Sequence, residues 1–221
     1  MAIFDFQAKT DDGRVVKGEL DAANEFEARV RLRAQLGFVG SECLIGCVAS
    51  LTPVKRHCDL IAALARVRER HPGARLLLVG DGPLRDALGA QIAALGLRDQ
   101  VHLLGARADI ENILPAFDVF ALASSSEGMS NALLEAQACA VPAVATGVGG
   151  NIDVIRSGSN GILVPPAAPG ALAAALGDLV DNVALRRDLG DAARSTAQRD
   201  FSLEAMVSAY ASMYEELADA R

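Results

Sequence analysis

The sequence predicts an α/β fold, a Rossmann-like doubly wound parallel sheet preceded by an amino-terminal β-hairpin and helix. Three observations predict it. From about residue 43, short apolar runs alternate with longer amphipathic segments, the pattern of a parallel sheet covered on both faces. Several of those runs end in glycine-rich corners. Hydrophobic residues make up 51% of the 221 residues and aromatics only 4%, which suits buried Ala/Leu/Val strands and helices and excludes disorder.

The elements follow in order. "AIFDFQAK" alternates apolar and polar residues, "TDDG" turns, and "VVKGELDA" is a second strand. "ANEFEARVRLRAQLGF" then becomes helical, with Asn24 as its cap and Phe26, Val30 and Leu36 on its buried face. A two-stranded hairpin is marginal by itself, so this piece needs a surface to pack on. The chain divides into residues 1–40, hairpin and linker helix, and 41–221, the Rossmann-like domain. In the second part "LIGCVASL", "ARLLLVG", "QVHLLG", "DVFALAS", "PAVAT" and "GILVP" read as strands. "VKRHCDLIAALARVRERH", "PLRDALGAQIAALGL", "DIENILPAF" and "SNALLEAQACA" read as the helices between them, and three more helices close the chain. In the last of these, Met206, Tyr210, Met213 and Tyr214 recur at helical spacing, which predicts packing on their own domain.

A formal charge of −7 argues against a nucleic-acid partner, which would select a basic face. No apolar run approaches the ~18 residues that a membrane span needs, and no signal-peptide pattern opens the chain. Cys43, Cys47, Cys58 and Cys139 form no C-x2-C pair and have no histidine at ligand spacing, so they read as reduced core thiols of a cytoplasmic protein.

The chemistry-bearing stretch is "SSSEGMSNALLEAQACAVPAVATGVGG", residues 124–150. After a strand comes a Ser/Gly loop holding Glu127, then a helix capped by Ser130 or Asn131 and carrying Glu135. A helix start leaves backbone amides unpaired and partially positive, which suits phosphate, and Gly128 lets backbone approach closely. Gly147, Gly149 and Gly150 form a second such corner. Lys55 and Arg56 follow the first strand on the same rim. Together these predict a diphosphate site, with Glu135 accepting from ribose hydroxyls and Glu127 nearer any transferred group. Ordinary turn glycines, a solvated helix start and a chance E-x7-E spacing would produce the same letters. "VGDGPLRDAL" lacks the third glycine of a dinucleotide fingerprint, with Arg85 in its place.

Taken together, "RLRAQLGFVGSECLIGCVASLTPVKR", "LLLVGDGPLRDAL", "VHLLG", "DVFALASSSEGMSNALLEAQACAVPAVATGVGG", "GSNGILVPP" and "FSLEAMVSAYASMYEEL" resemble the carboxyl-terminal domain of retaining GT-B glycosyltransferases, over about residues 31–221. The resemblance implies half of a GT-B fold and a nucleotide-diphospho-sugar donor. It implies catalytic roles for Glu127 and Lys55. Diphosphate would be held by Lys55, with Arg56 nearby, and phosphate and sugar by Gly128, Met129, Ser130 and Asn131, beside Gly149 and Gly150. Glu127 would meet the sugar, Glu135 the ribose, and Gly105 and Ala106 the base. No bound metal and no cofactor are expected. Ser50 stands where the family usually has arginine, Asp153 where glutamate is common, and Ala140 where glycine is usual. The acceptor-binding domain of such enzymes is missing from this chain. Residues 1–35 instead resemble the start of the inner-membrane platform proteins of type II secretion and type IV pilus machines, through the "F-x-A-x-x-x-x-G" turn, the "VKGELDA" strand and the "EARVRLRAQ" helix, as in a fusion. The expectation is a donor-binding domain inactive in transfer until completed by a separate acceptor domain. The alternative is a non-catalytic interaction or scaffold module, acting as a homo-oligomer or with a partner.

Overall fold

The computed structural model describes residues 2–9, 15–22, 30, 33–38 and 40–219. The expected turn at 10–13, the Asn24 cap and the Phe26 contact lie outside the described residues. The hairpin is present: β1 (Ala2–Lys9) pairs antiparallel with β2 (Val15–Ala22), Phe4 opposite Leu20. Val30, expected on a buried face, is 48% exposed, whereas Leu36 packs against the core.

The remaining strands are β3 (Cys43–Val48), β4 (Ala74–Val79), β5 (Val101–Gly105), β6 (Val119–Leu122), β7 (Ala143–Thr146) and β8 (Ile162–Val164). They form one six-stranded sheet in the order β5-β4-β3-β6-β7-β8, with every pairing parallel. Numbered from β3, that is the order 3-2-1-4-5-6 of dinucleotide-binding folds, and the strand order reverses between β3 and β6. The fold is the α/β Rossmann-like sheet that the alternating apolar runs predicted. Such runs arise because helices cover both faces, so strands such as "VFAL" and "AVAT" are buried throughout.

The helices are α1 (His57–Val67), α2 (Arg85–Ala94), α3 (Ile110–Ile113), α4 (Asn131–Ala138), α5 (Asn151–Val154), α6 (Pro169–Asp181), α7 (Val183–Asp200) and α8 (Leu203–Asp219). α1 buries Leu60, Ile61, Leu64 and Val67, the i, i+1, i+4, i+7 stripe that meets the sheet. Near the middle of the sheet Gly46 leaves room for the Phe117 ring, which an added Cβ would meet at 2.0 Å. Asp118, just before β6, accepts from the Leu44 amide at 2.8 Å and from Arg33 at 2.7 Å, tying the amino-terminal edges of β3 and β6 together.

α8 departs from its expectation. Met206, Tyr210, Met213 and Tyr214, together with Leu203, Val207 and Leu217, are 42–67% exposed. Their spacing does make an apolar stripe, as the sequence suggested. Among the described residues, however, these side chains remain largely open to solvent instead of packing into the core. The cysteines also divide: Cys47 is buried, Cys43 and Cys139 are half-buried, and Cys58 is exposed, so only Cys47 is a core thiol.

Candidate functional site

Parallel strands carry all their exits to one end, and there the loops meet. The β3 exit does not run straight into a helix. Pro53–Lys55 forms a 3-10 turn, and Arg56, in the left-handed region at φ 47°, caps α1. The turn is held from two sides. Gly80 and Gly82, with φ of 142° and 159°, lie so close to it that an added Cβ would meet Ala49 O at 2.0 Å and Leu51 O at 2.7 Å. The "GDG" motif therefore serves close packing of two loops here. On the other side the Ser125 amide and hydroxyl both donate to Val54 O, at 2.8 and 3.2 Å.

This packing brings the β3 and β6 exits together across the switch point. Lys55 Nζ donates to Glu127 Oε1 at 2.7 Å and to Oε2 at 2.9 Å. The carboxylate side chain is 7% exposed and the lysine 22%. Ser124 Oγ donates to Glu127 Oε1 at 2.5 Å, Thr146 Oγ1 donates to Ser124 O at 2.6 Å, and Asn151 Nδ2 donates to Thr146 O at 3.0 Å. A chain of buried polar groups thus runs from α5 through the end of β7 to the carboxylate. Ser124, Thr146 and Asn151 were not among the sequence candidates. The signal for Ser124 was its place three residues before Glu127, as polar residues of the "SSSEG" loop must either pair or face water.

Ser130, of the two candidate caps, is the N-cap of α4, accepting from the Leu133 amide at 3.3 Å. Among the described residues the amides of Gly128, Met129, Ser130 and Asn131 donate to no acceptor in the chain. The amides of the cap and first residue of this eight-residue helix, and of the two loop residues before them, are thus available. The Gly147–Gly150 corner is different. Gly147, Val148 and Gly150 already donate to Val164 O, Thr146 O and Gly128 O at 2.8–2.9 Å. Two of its glycines lie against the β6 loop: an added Cβ would meet Glu127 O at 1.7 Å from Gly149 and Gly128 O at 2.1 Å from Gly150.

Arg56 turns its guanidinium to Asp59, with bonds of 2.6 and 3.1 Å, rather than to Glu127. Glu135 is exposed, on the fifth residue of α4. Gly105, at φ 72°, ends β5 and accepts from the Gly80 amide at 2.8 Å, with Ala106 exposed beside it. β5 stands two strands from β3, about 10 Å away at ordinary strand spacing. Ser50 is exposed and lies 3.4 Å from the Thr52 hydroxyl.

Two groups behind Lys55 are held uncharged. Burial and then the lysine charge bring the His57 imidazole down to about 4, and neither ring nitrogen has a hydrogen-bond partner. Burial pushes the Cys47 thiol up to about 12. A cleft of about 660 Å³ opens at the opposite, amino-terminal end of the sheet, lined by Arg33, Phe117, Asp118, Val141 and Arg186 among others. Of its three lining arginines, Arg33 is bonded to Asp118 and Arg186 to the carbonyls of Leu179 and Val180, and Arg187 is the third.

The family model described as glycosyl transferases group 1 matches residues 29–196. The chain belongs to that family. A second model, the N-terminal domain of type II secretion system protein F, matches residues 1–35, in keeping with the resemblance of the hairpin segment. N-acetyl-alpha-D-glucosaminyl L-malate synthase of Bacillus anthracis is 32% identical over 187 residues, covering 85% of this chain and 49% of that protein. The crystal structure of Anabaena Alr3699/HepE in complex with UDP and glucose matches with a TM-score of 0.79 at 29% identity, over 86% of this chain and 52% of that one. The C-terminal domain of a glycosyl transferase group 1 family protein from Francisella tularensis matches with a TM-score of 0.73 at 24% identity, over 82% of this chain and 95% of that one, and shows the fold. The chain thus spans about half the length of the first two. No helix among the described residues is long and apolar enough to cross a membrane.

Proposed function

We propose that this glycosyltransferase chain is a donor-binding domain, taking a nucleotide-diphospho-sugar at the crevice between β3 and β6, and that hexosyl transfer with retention requires an acceptor-binding domain from elsewhere. The observation that carries this is the meeting of Lys55, Glu127 and the unpaired amides of residues 128–131 at the switch point. Diphosphate is bound by the ammonium and the start of α4, where aligned amides favour an anion by about 0.3–1 kcal/mol or more. No metal is needed for that role, because the cation and the dipoles supply the countercharge. Glu127 faces the sugar, Glu135 the ribose, and Gly105 and Ala106 the base. Lys55 and Glu127 are the groups nearest the reacting bond. Ser50 supplies no guanidinium to the leaving diphosphate, and the bidentate pairing of Arg56 with Asp59 keeps that residue from replacing it. Residues 1–40 and 41–221 count as two segments in this proposal, joined through the core contacts of Leu36 and Phe38, and the chain works in the cytoplasm, where nucleotide sugars are at hand.

Calorimetric titration with UDP, GDP and ADP and their sugar conjugates tests the proposal. Weak binding of one nucleotide series is expected, without transfer. Absence of heat with every one of them would refute it. Glu135→Ala is expected to weaken nucleotide more than inorganic pyrophosphate, and equal losses would remove its ribose role.

A non-catalytic interaction module is the second reading, supported by the exposed apolar stripe of α8. It predicts a stable oligomer and no protection by nucleotides in a thermal melt.

A further inference from the structure

The two charged groups assigned to opposite ends of the donor are each other's partners. Lys55 is held by both oxygens of Glu127, and Ser124 supports the same carboxylate. Arg56 is matched in the same way by Asp59. Both cations that directly follow β3, Lys55 and Arg56, therefore stand against a carboxylate.

We propose that the Lys55–Glu127 pair is a clasp by which the site discriminates a nucleotide sugar from the nucleoside diphosphate that remains once the sugar has gone. The inference rests on the donor-site reading above. A diphosphate that recruits Lys55 must take it from Glu127. The carboxylate, 7% exposed, then loses its countercharge while more negative charge arrives beside it. An unpaired, largely buried charge is costly. A sugar supplies hydroxyl donors to that carboxylate as the lysine moves to phosphate, so the exchange leaves no group unsatisfied. A sugar-free diphosphate supplies none, and Ser124 alone remains. Glu127 thus weakens the leaving product selectively, and the difference appears in its dissociation rate.

The test compares wild type, Glu127→Gln, Lys55→Met and the double variant of the full chain, titrated with UDP, GDP and ADP and with their glucose conjugates. Glu127→Gln is nearly isosteric and keeps an oxygen for Ser124 Oγ. Glu127→Ala serves if the first variant melts early. Neutralising Glu127 is expected to tighten the free nucleoside diphosphate about tenfold, as loss of one charge contact at such a site does. It should not tighten the glucose conjugate, so the ratio of the two affinities falls by about that factor. With Lys55→Met in place the tightening should shrink, because no cation is left to be released. Unchanged or weaker diphosphate binding in Glu127→Gln would overturn the clasp, and so would equal tightening of both ligands. If wild type binds both ligands and the ratio stays put, the donor site stands and only the clasp falls. If none of the chains binds any ligand, the donor-site reading falls and takes the clasp with it.

Discussion

Glu127 and Lys55 are 72 residues apart in sequence, and nothing local in either stretch announces their contact. Their residue types and their positions after strands were legible, because a parallel sheet delivers every exit to one rim. What stood hidden was the pairing itself, together with the Ser124–Thr146–Asn151 chain behind it, since these depend on which loops touch. His57 belongs to this scale too. Its folded value, about 4, lies below the ordinary 6.5, so the unfolded chain binds the extra proton between those limits. Stability therefore rises with pH from about 4 to about 6.5, is flat in this group's contribution above about 6.5, and has lost that contribution, on the order of 3 kcal/mol, below about 4. His57→Leu should remove that slope in urea titrations run between pH 4 and pH 7. An unchanged slope would mean that the imidazole is reachable by water. Gly149→Ala is expected to destabilise by on the order of 2 kcal/mol and to weaken nucleotide, because φ is positive and the new carbon meets Glu127 O. Gly149→Asn separates the two causes: asparagine tolerates the dihedral but not the contact, so it should not rescue.

At the scale of elements, the strands were readable as apolar runs and the helices from their period. Boundaries moved where tertiary contact intervened. The strand read as "LIGCVASL" stops at Val48 because Gly80 and Gly82 press on the backbone of residues 49–51 and shape it into a loop. The helix read from Val54 starts at His57, since Pro53 opens a 3-10 turn and Arg56 reverses the chain. That turn is what aims Lys55 across the crevice instead of along a helix face. The glycines of 147–150 were legible as a special corner, but their purpose was not. Glycine suits both an anion cradle and the near approach of another loop, and the coordinates reveal the second. For α8, period revealed an apolar face, whereas what lies opposite a face is a property of the whole molecule.

Because the α8 stripe is 42–67% exposed, the domain's own stability should depend little on it. Deleting residues 203–221 is expected to move the melting temperature by no more than about 3 °C, the shift that a change below ~1 kcal/mol gives in a domain of this size. It should also keep the chain monomeric at higher concentration in light scattering, since a contiguous exposed apolar patch favours association. A large drop in melting temperature would mean that the helix is integral to the core. At the level of the whole chain, the two separate family matches were foreshadowed by the change of pattern after the first helix, and the half-coverage of the relatives by the resemblance. The two matches overlap at residues 29–35, and Arg33 lies within that overlap. Its guanidinium bonds Asp118 and the carbonyl of Glu42, at the root of β3 and β6. One arginine thus lies in the stretch that both family models match and ties it to the β3 and β6 edge of the sheet. The segment shared by the two matches is therefore moored at the end of the sheet remote from Lys55 and Glu127.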